Sequence, residues 1–194
     1  MKTVRLKRSR YVLPMSVAAL ALTACGDDPT FGPEDSAAVA APSLAAARPV
    51  DLGSCEELAA PTGSTLAFHA YARGFQVYTW NGQGWDFNGP SATLYANEGG
   101  TGVVGIHYGG PTWELNSGGL VVGRLNTPCD VAPADIPWLL LDVRRNDGPG
   151  ALNRVTHIQR LNTVGGRAPA GRGSYAGEVR NVFYTAEYFF YRAP

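Results

Sequence analysis

From residue 65 onward, apolar and polar side chains alternate along the chain. TLAFHAY (65–71), GFQVYTW (74–80), GWDF, ATLYA, VVGIHY, TWEL, LVVGRL, WLLLDVR, VTHIQRL and VFYTAEYFFY all read as short strands. A period of two places alternate side chains on opposite faces, as a half-buried strand requires. Between these runs lie NGQG, NGP, NEGGTG, GGP, NSGG, NDGPG and GGRAPAGRG, whose Asn, Gly and Pro content marks turns. No convincing helical period interrupts them. The pattern predicts one all-β domain over residues 51–194, a single antiparallel β-sandwich or partly closed barrel of about eight to ten strands. No repeat of fixed period is present, which disfavours a propeller or solenoid.

One hairpin is predicted in register. With NGQG as its loop, Trp80 faces Trp85 and Tyr78 faces Phe87, so four aromatic rings share one face. Thr79 and Asp86 are polar on the other face, which points the aromatic face inward. The alternative is an exposed aromatic platform of the kind on which sugars stack.

Upstream of the domain the character differs. MKTVRLKRSR is basic, YVLPMSVAALAL is apolar, and Leu22-Thr23-Ala24-Cys25 follows. A basic segment, a short apolar segment and a small residue before the cut form a secretory signal over residues 1–24, too short to span a bilayer stably. LTAC resembles the lipobox of bacterial lipoproteins, which implies lipidation of Cys25 and anchoring by its acyl chains. Residues 25–50 are rich in Ala, Pro, Ser and acid, a composition that reads as a disordered tether. As a coil it would hold the domain about 25–30 Å from the membrane.

Processing changes the charge. Five of the sixteen basic residues and none of the sixteen acidic ones lie in residues 1–24, leaving eleven against sixteen, a net −5. Both lysines are in the signal, so every basic residue beyond it is arginine. A mildly acidic chain without basic runs argues against nucleic acid as partner. In an exported protein the two remaining cysteines, Cys55 and Cys129, are expected to form a disulfide.

Candidate chemistry centres on GIHYGGPTWEL. His107, Tyr108, Trp113 and Glu114 surround a Gly109-Gly110-Pro111 turn, and Gln159 and Arg160 in IQRLNTVGG fall on a similar rim. Loops at the end of a β scaffold commonly carry binding groups. These six residues are the candidate ligand-binding set. The competing reading has Tyr108 and Trp113 filling the core and His107 bonding a backbone carbonyl. Gly100, Gly102 and Gly105 match GxGxxG, yet IHYGGP follows and cannot continue as the helix a dinucleotide needs. His69, His107 and His157 sit in separate strands without metal-ligand spacing, and no GxSxG elbow is present. The sequence assigns no catalytic residue, no metal and no cofactor.

The strings AFHAYARGFQVYTWNG, GIHYGGPTWE, IPWLLL, HIQRLNTVGG-AP and YTAEYFFYR, in that order, resemble domain-of-unknown-function family 3455 from about Leu66 to Arg192. The resemblance implies a compact β-rich domain and no established activity. Where the family pattern has a Cys after GG-AP, this chain has GRGSY (171–175). The expectation is therefore a lipid-anchored protein of the bacterial cell envelope, facing periplasm or exterior. Its β domain is read as a non-enzymatic binding or structural module, with the membrane as partner through the anchor and a glycan or other envelope component as ligand. The alternative is a small hydrolase or lyase acting on an envelope polymer, with His107 and Glu114 as acid and base.

Overall fold

The computed structural model describes residues 50–194; the signal, Cys25 and the tether up to residue 49 lie outside the described residues. Eight strands follow a short 3-10 turn (Glu56–Leu58): β1 (Thr65–Trp80), β2 (Trp85–Tyr95), β3 (Val103–Tyr108), β4 (Thr112–Leu115), β5 (Leu120–Cys129), β6 (Trp138–Asp147), β7 (Val155–Gly165) and β8 (Val179–Arg192). Each pairs antiparallel with the next, and β8 returns to β1, so one sheet closes into an up-and-down barrel. Among the described residues, every strand has a ladder partner on each side along part of its length.

The all-β expectation holds, but ten sequence segments become eight strands. TLAFHAY and GFQVYTW fuse into β1, and GWDF and ATLYA fuse into β2 across NGP. The NGP segment is not a turn because the pairing of β1 with β2 skips Asn88 between Tyr78↔Phe87 and Val77↔Gly89. Asn88 is the extra residue of a bulge, and Gly89 beside it takes φ +132°, a conformation closed to most side chains. The predicted hairpin register is observed, with Tyr78↔Phe87 and Trp80↔Trp85. Tyr78 and Trp80 are buried as expected, whereas Phe87 is exposed at the barrel rim.

Small residues line the middle of β1, where Ala70, Ala72 and Gly74 alternate inward. A Cβ on Gly74 would stand 2.3 Å from the Ser91 carbonyl oxygen and 2.4 Å from Ala92 Cα, both backbone atoms of the paired strand. Gly74→Ala is therefore expected to lower stability by about 1–3 kcal/mol, read as a reduced urea midpoint at unchanged m value.

Two hydrophobic clusters form, one inside the barrel and one outside. Inside are Trp113, Val121, Leu141, Ile158, Tyr188 and Phe190, with Leu152 packed among them from the β6–β7 loop. Outside, Leu140, Leu161 and Phe189 are covered by Cys55 and Leu58 of the segment that precedes β1. This explains the unbroken apolar runs in WLLLD and YFFY. Those strands are buried on both faces, so alternation disappears. The Cys55–Cys129 disulfide is present and fastens the covering segment to the end of β5.

Candidate functional site

The up-and-down order gathers the β1–β2, β3–β4, β5–β6 and β7–β8 connections at one end of the barrel. The interior there is open. A cavity of about 520 Å³ enters between these loops, within the range of small-molecule sites, about 300–1,000 Å³. Its walls are largely apolar: Phe87, Pro90, Leu125, Ile136, Leu139 and Leu141. Polar groups on Gln76, Tyr78, His107, Trp113, Arg160 and Tyr188 line the same cavity. Loops frame the mouth. The Trp85 indole donates to the Gly171 carbonyl at 2.8 Å, and Asp135 bridges to Gly166.

Each inward side chain follows from strand alternation. On β3, His107 points inward and pairs across the ladder with Trp113 of β4. The two rings stack at 4.3 Å and 9°, and the Tyr188 ring meets the edge of each. Gly123 leaves room for this stack, since a Cβ there would stand 3.1 Å from the Trp113 ring. His107 Nδ1 lies 2.8 Å from the Thr112 carbonyl oxygen. A carbonyl can only accept, so Nδ1 carries the proton. Burial pushes the His107 pKa down to about 3, opposed in part by that hydrogen bond. The ring is therefore neutral at ordinary pH, with an unprotonated Nε2.

Among the described residues Arg160 is the single cationic one lining the cavity, and no Asp or Glu among them lines it. Its Nε and Nη2 donate to the Pro137 carbonyl at 3.2 and 2.8 Å, which fixes the guanidinium beneath the β5–β6 loop. Among the described residues it pairs with no carboxylate. Burial dominates the raised pKa values of Tyr78, Tyr184 and Tyr188, while the Arg160 charge acts on all three in the opposite sense. Tyr78 donates to the Gly166 carbonyl at 2.7 Å. Gln76 Nε2, Trp113 Nε1 and the Tyr184 and Tyr188 hydroxyls are buried and complete no hydrogen bond among the described residues. The Tyr184 and Tyr188 hydroxyls still come within hydrogen-bonding reach of one another, and Tyr188 of the Arg160 guanidinium, in poorly aligned contacts that shift their ionisation.

Of the six sequence candidates, His107, Trp113 and Arg160 meet in the cavity. The other three do not. Tyr108 and Glu114 face outward, where the Tyr108 hydroxyl donates to Glu114 Oε2 at 3.0 Å. Gln159 also points outward, beneath the covering segment; its Nε2 donates to the Leu58 carbonyl at 2.6 Å and its Oε1 accepts from Tyr191. Adjacent strand residues face opposite ways, so the pairs His107–Tyr108, Trp113–Glu114 and Gln159–Arg160 each had to split. The reading that His107 bonds a backbone carbonyl and Trp113 fills the core describes those two residues, and both still border the cavity. Tyr108 does not fill the core.

Gln76, Tyr184 and Tyr188 were missed. A signal existed in GFQVYTW, because Gln76 shares the inward face with Tyr78 and Trp80, an odd place for an amide. The three histidines do not converge. His69 faces outward, stacked on Phe189 with Nε2 2.9 Å from Glu187, and His157 stands near Asp142 on the outside. Gly100 and Gly102 take positive φ in the loop before β3, so the GxGxxG string is a loop entering a strand.

Fold and cavity together define a closed eight-stranded barrel with an open, mostly apolar cup at one end. A family model described as protein of unknown function (DUF3455) matches residues 61–192, and the chain belongs to that family. No curated protein and no solved structure matches the chain.

Proposed function

We propose that the domain is a non-enzymatic binding module that takes a small, largely apolar molecule into the open end of the barrel. One observation carries this reading. A cavity of ligand size lies inside the barrel, walled by apolar side chains and bordered by buried donors with no partner. An unpaired buried donor costs about 1–3 kcal/mol, a deficit that an acceptor on a bound molecule would offset. The disulfide at Cys55 and Cys129 agrees with an oxidising compartment outside the cytoplasm. The signal and lipobox at Cys25 add the bacterial cell envelope as location and a lipid anchor as the membrane link.

A hydrolase or lyase built on His107 and Glu114 has less support. The two side chains stand on opposite sides of the barrel wall, so they cannot serve one substrate as acid and base. Stacking of glycan on an exposed aromatic strip is also weakened, because Tyr78 and Trp80 of the hairpin are interior.

The reading is tested with phenylnaphthylamine, a neutral apolar fluorophore. Its emission is expected to rise on adding the protein and to saturate at one molecule per chain. Leu125→Trp should abolish the rise, because Leu125 is exposed at the mouth, where a larger ring can block entry without crowding the core. Equal emission from wild type and Leu125→Trp would place the fluorophore elsewhere and remove the cavity from the argument.

A further inference from the structure

We infer that the cavity selects a monocarboxylate, with Arg160 receiving the acid group and the apolar walls receiving the body of the molecule. The inference rests on the binding reading above and names its ligand class.

Charge is the first ground. Among the described residues the cavity is lined by one positive charge and no negative one, and that charge is held in place without an ion-pair partner. A half-buried guanidinium left in this state is stabilised by any anion that enters. A single cation matches a single negative charge. His107 adds none, because burial keeps it neutral, so a doubly charged phosphate would remain half compensated.

Geometry is the second ground. Pro137 occupies the edge of the guanidinium formed by Nε and Nη2. The Tyr188 hydroxyl also comes within hydrogen-bonding reach of the guanidinium. The N–H bonds on the Nη1 and Nη2 side are the ones Pro137 does not take, a pair at the spacing of carboxylate oxygens. The third ground is the set of unsatisfied atoms. Gln76 Nε2 and Trp113 Nε1 are donors only and belong to residues lining the same cavity as Arg160, so what they lack is an acceptor. Carboxylate oxygens are acceptors only. Leu125, Ile136, Leu139 and Leu141, which line the same cavity, offer nothing polar to the remainder of the molecule. An aliphatic or aromatic acid fits this lining better than a sugar, whose hydroxyls would be stripped of water against those side chains.

The experiment compares decanoate with decanol on the whole protein at pH 8, read by tryptophan fluorescence and by thermal shift. Decanoate is expected to bind about 10- to 100-fold more tightly, the ratio that a hydrogen bond to a charged group supplies. In Arg160→Gln the preference should vanish, so that acid and alcohol bind within about threefold of each other. Should Arg160→Gln fail to fold, the wild-type ratio decides alone, together with its decline between low and high salt. Equal affinity of wild type for acid and alcohol, or tighter binding of the alcohol, overturns the carboxylate assignment and leaves the cavity reading standing. Absence of binding by both overturns the two together.

Discussion

Lowering the pH from 8 to 4 is expected to remove about 3 kcal/mol of stability through His107 alone. The cause is the cost of charging an imidazole sealed between Trp113 and Tyr188 inside the barrel. In the unfolded chain the residue titrates near 6.5; in the fold its pKa is about 3. Above pH 6.5 both states hold it neutral, and its contribution to stability is fully present. As the pH falls below 6.5 the unfolded chain gains a proton that the fold refuses, and stability is lost until about pH 3. The slope approaches 1.4 kcal/mol per pH unit for this one group. Urea unfolding at half-unit intervals from pH 8 to 4 measures it.

His107→Phe separates this effect from the carboxylates. A phenyl ring keeps the stack on Trp113 but loses the hydrogen bond to Thr112, so the variant should be less stable at pH 8. Between pH 6.5 and 5 its stability should stay nearly flat while that of wild type falls. Asp142 and Glu178 have lowered pKa values, the first chiefly from its hydrogen bond with Asn126 and the second chiefly from the Ser174 amide. Their contribution is therefore lost as the pH falls from the ordinary carboxylate range towards their lowered values, beneath the window between pH 6.5 and 5. Parallel curves for wild type and His107→Phe in the upper window would show that His107 is not the group responsible.

Replacing both cysteines, as Cys55→Ser with Cys129→Ser, is expected to cost about 4 kcal/mol. The bridge closes a loop across a sequence separation of 74, so its loss returns a large amount of freedom to the unfolded chain. For a domain of this size that corresponds to a fall in Tm of about 10–15 °C. The fold should also loosen locally. The segment before β1 covers Leu140, Leu161 and Phe189, and it is held there by the disulfide, by Leu58 and by the Gln159 bond to the Leu58 carbonyl. Scanning calorimetry and dye binding to newly exposed apolar surface read the two effects. A fall of less than about 3 °C would mean that apolar burial alone seats the segment and that the bridge adds little.

Alternation along the strands made most of the architecture legible. It identified the strand class, the β1–β2 hairpin register and the inward placement of Tyr78 and Trp80. It misjudged NGP, because a bulge and a turn draw on the same residues and only the partner strand tells them apart. For the site, sequence proximity was misleading. His107 and Glu114 are seven positions apart and cluster in the string, yet odd and even positions leave them on opposite faces. Arg160 entered the candidate set beside Gln159 for the same weak reason, and alternation keeps one and discards the other.

What the sequence determined by itself was local: strands from a period of two, turns from Asn, Gly and Pro, a disulfide from the two cysteines of the domain, and family membership from five strings in order. The tertiary structure decided the rest. Closure of β8 onto β1 brings Gln76, His107, Trp113, Arg160 and Tyr188, drawn from five strands, around one cavity. No local pattern encodes that meeting, because it depends on strand tilt and stagger summed around the whole ring. The covering segment is likewise a tertiary fact. It turns the outward face of β6 to β8 into a second core, so Gln159 becomes a fastening of the fold while its neighbour Arg160 faces the cavity.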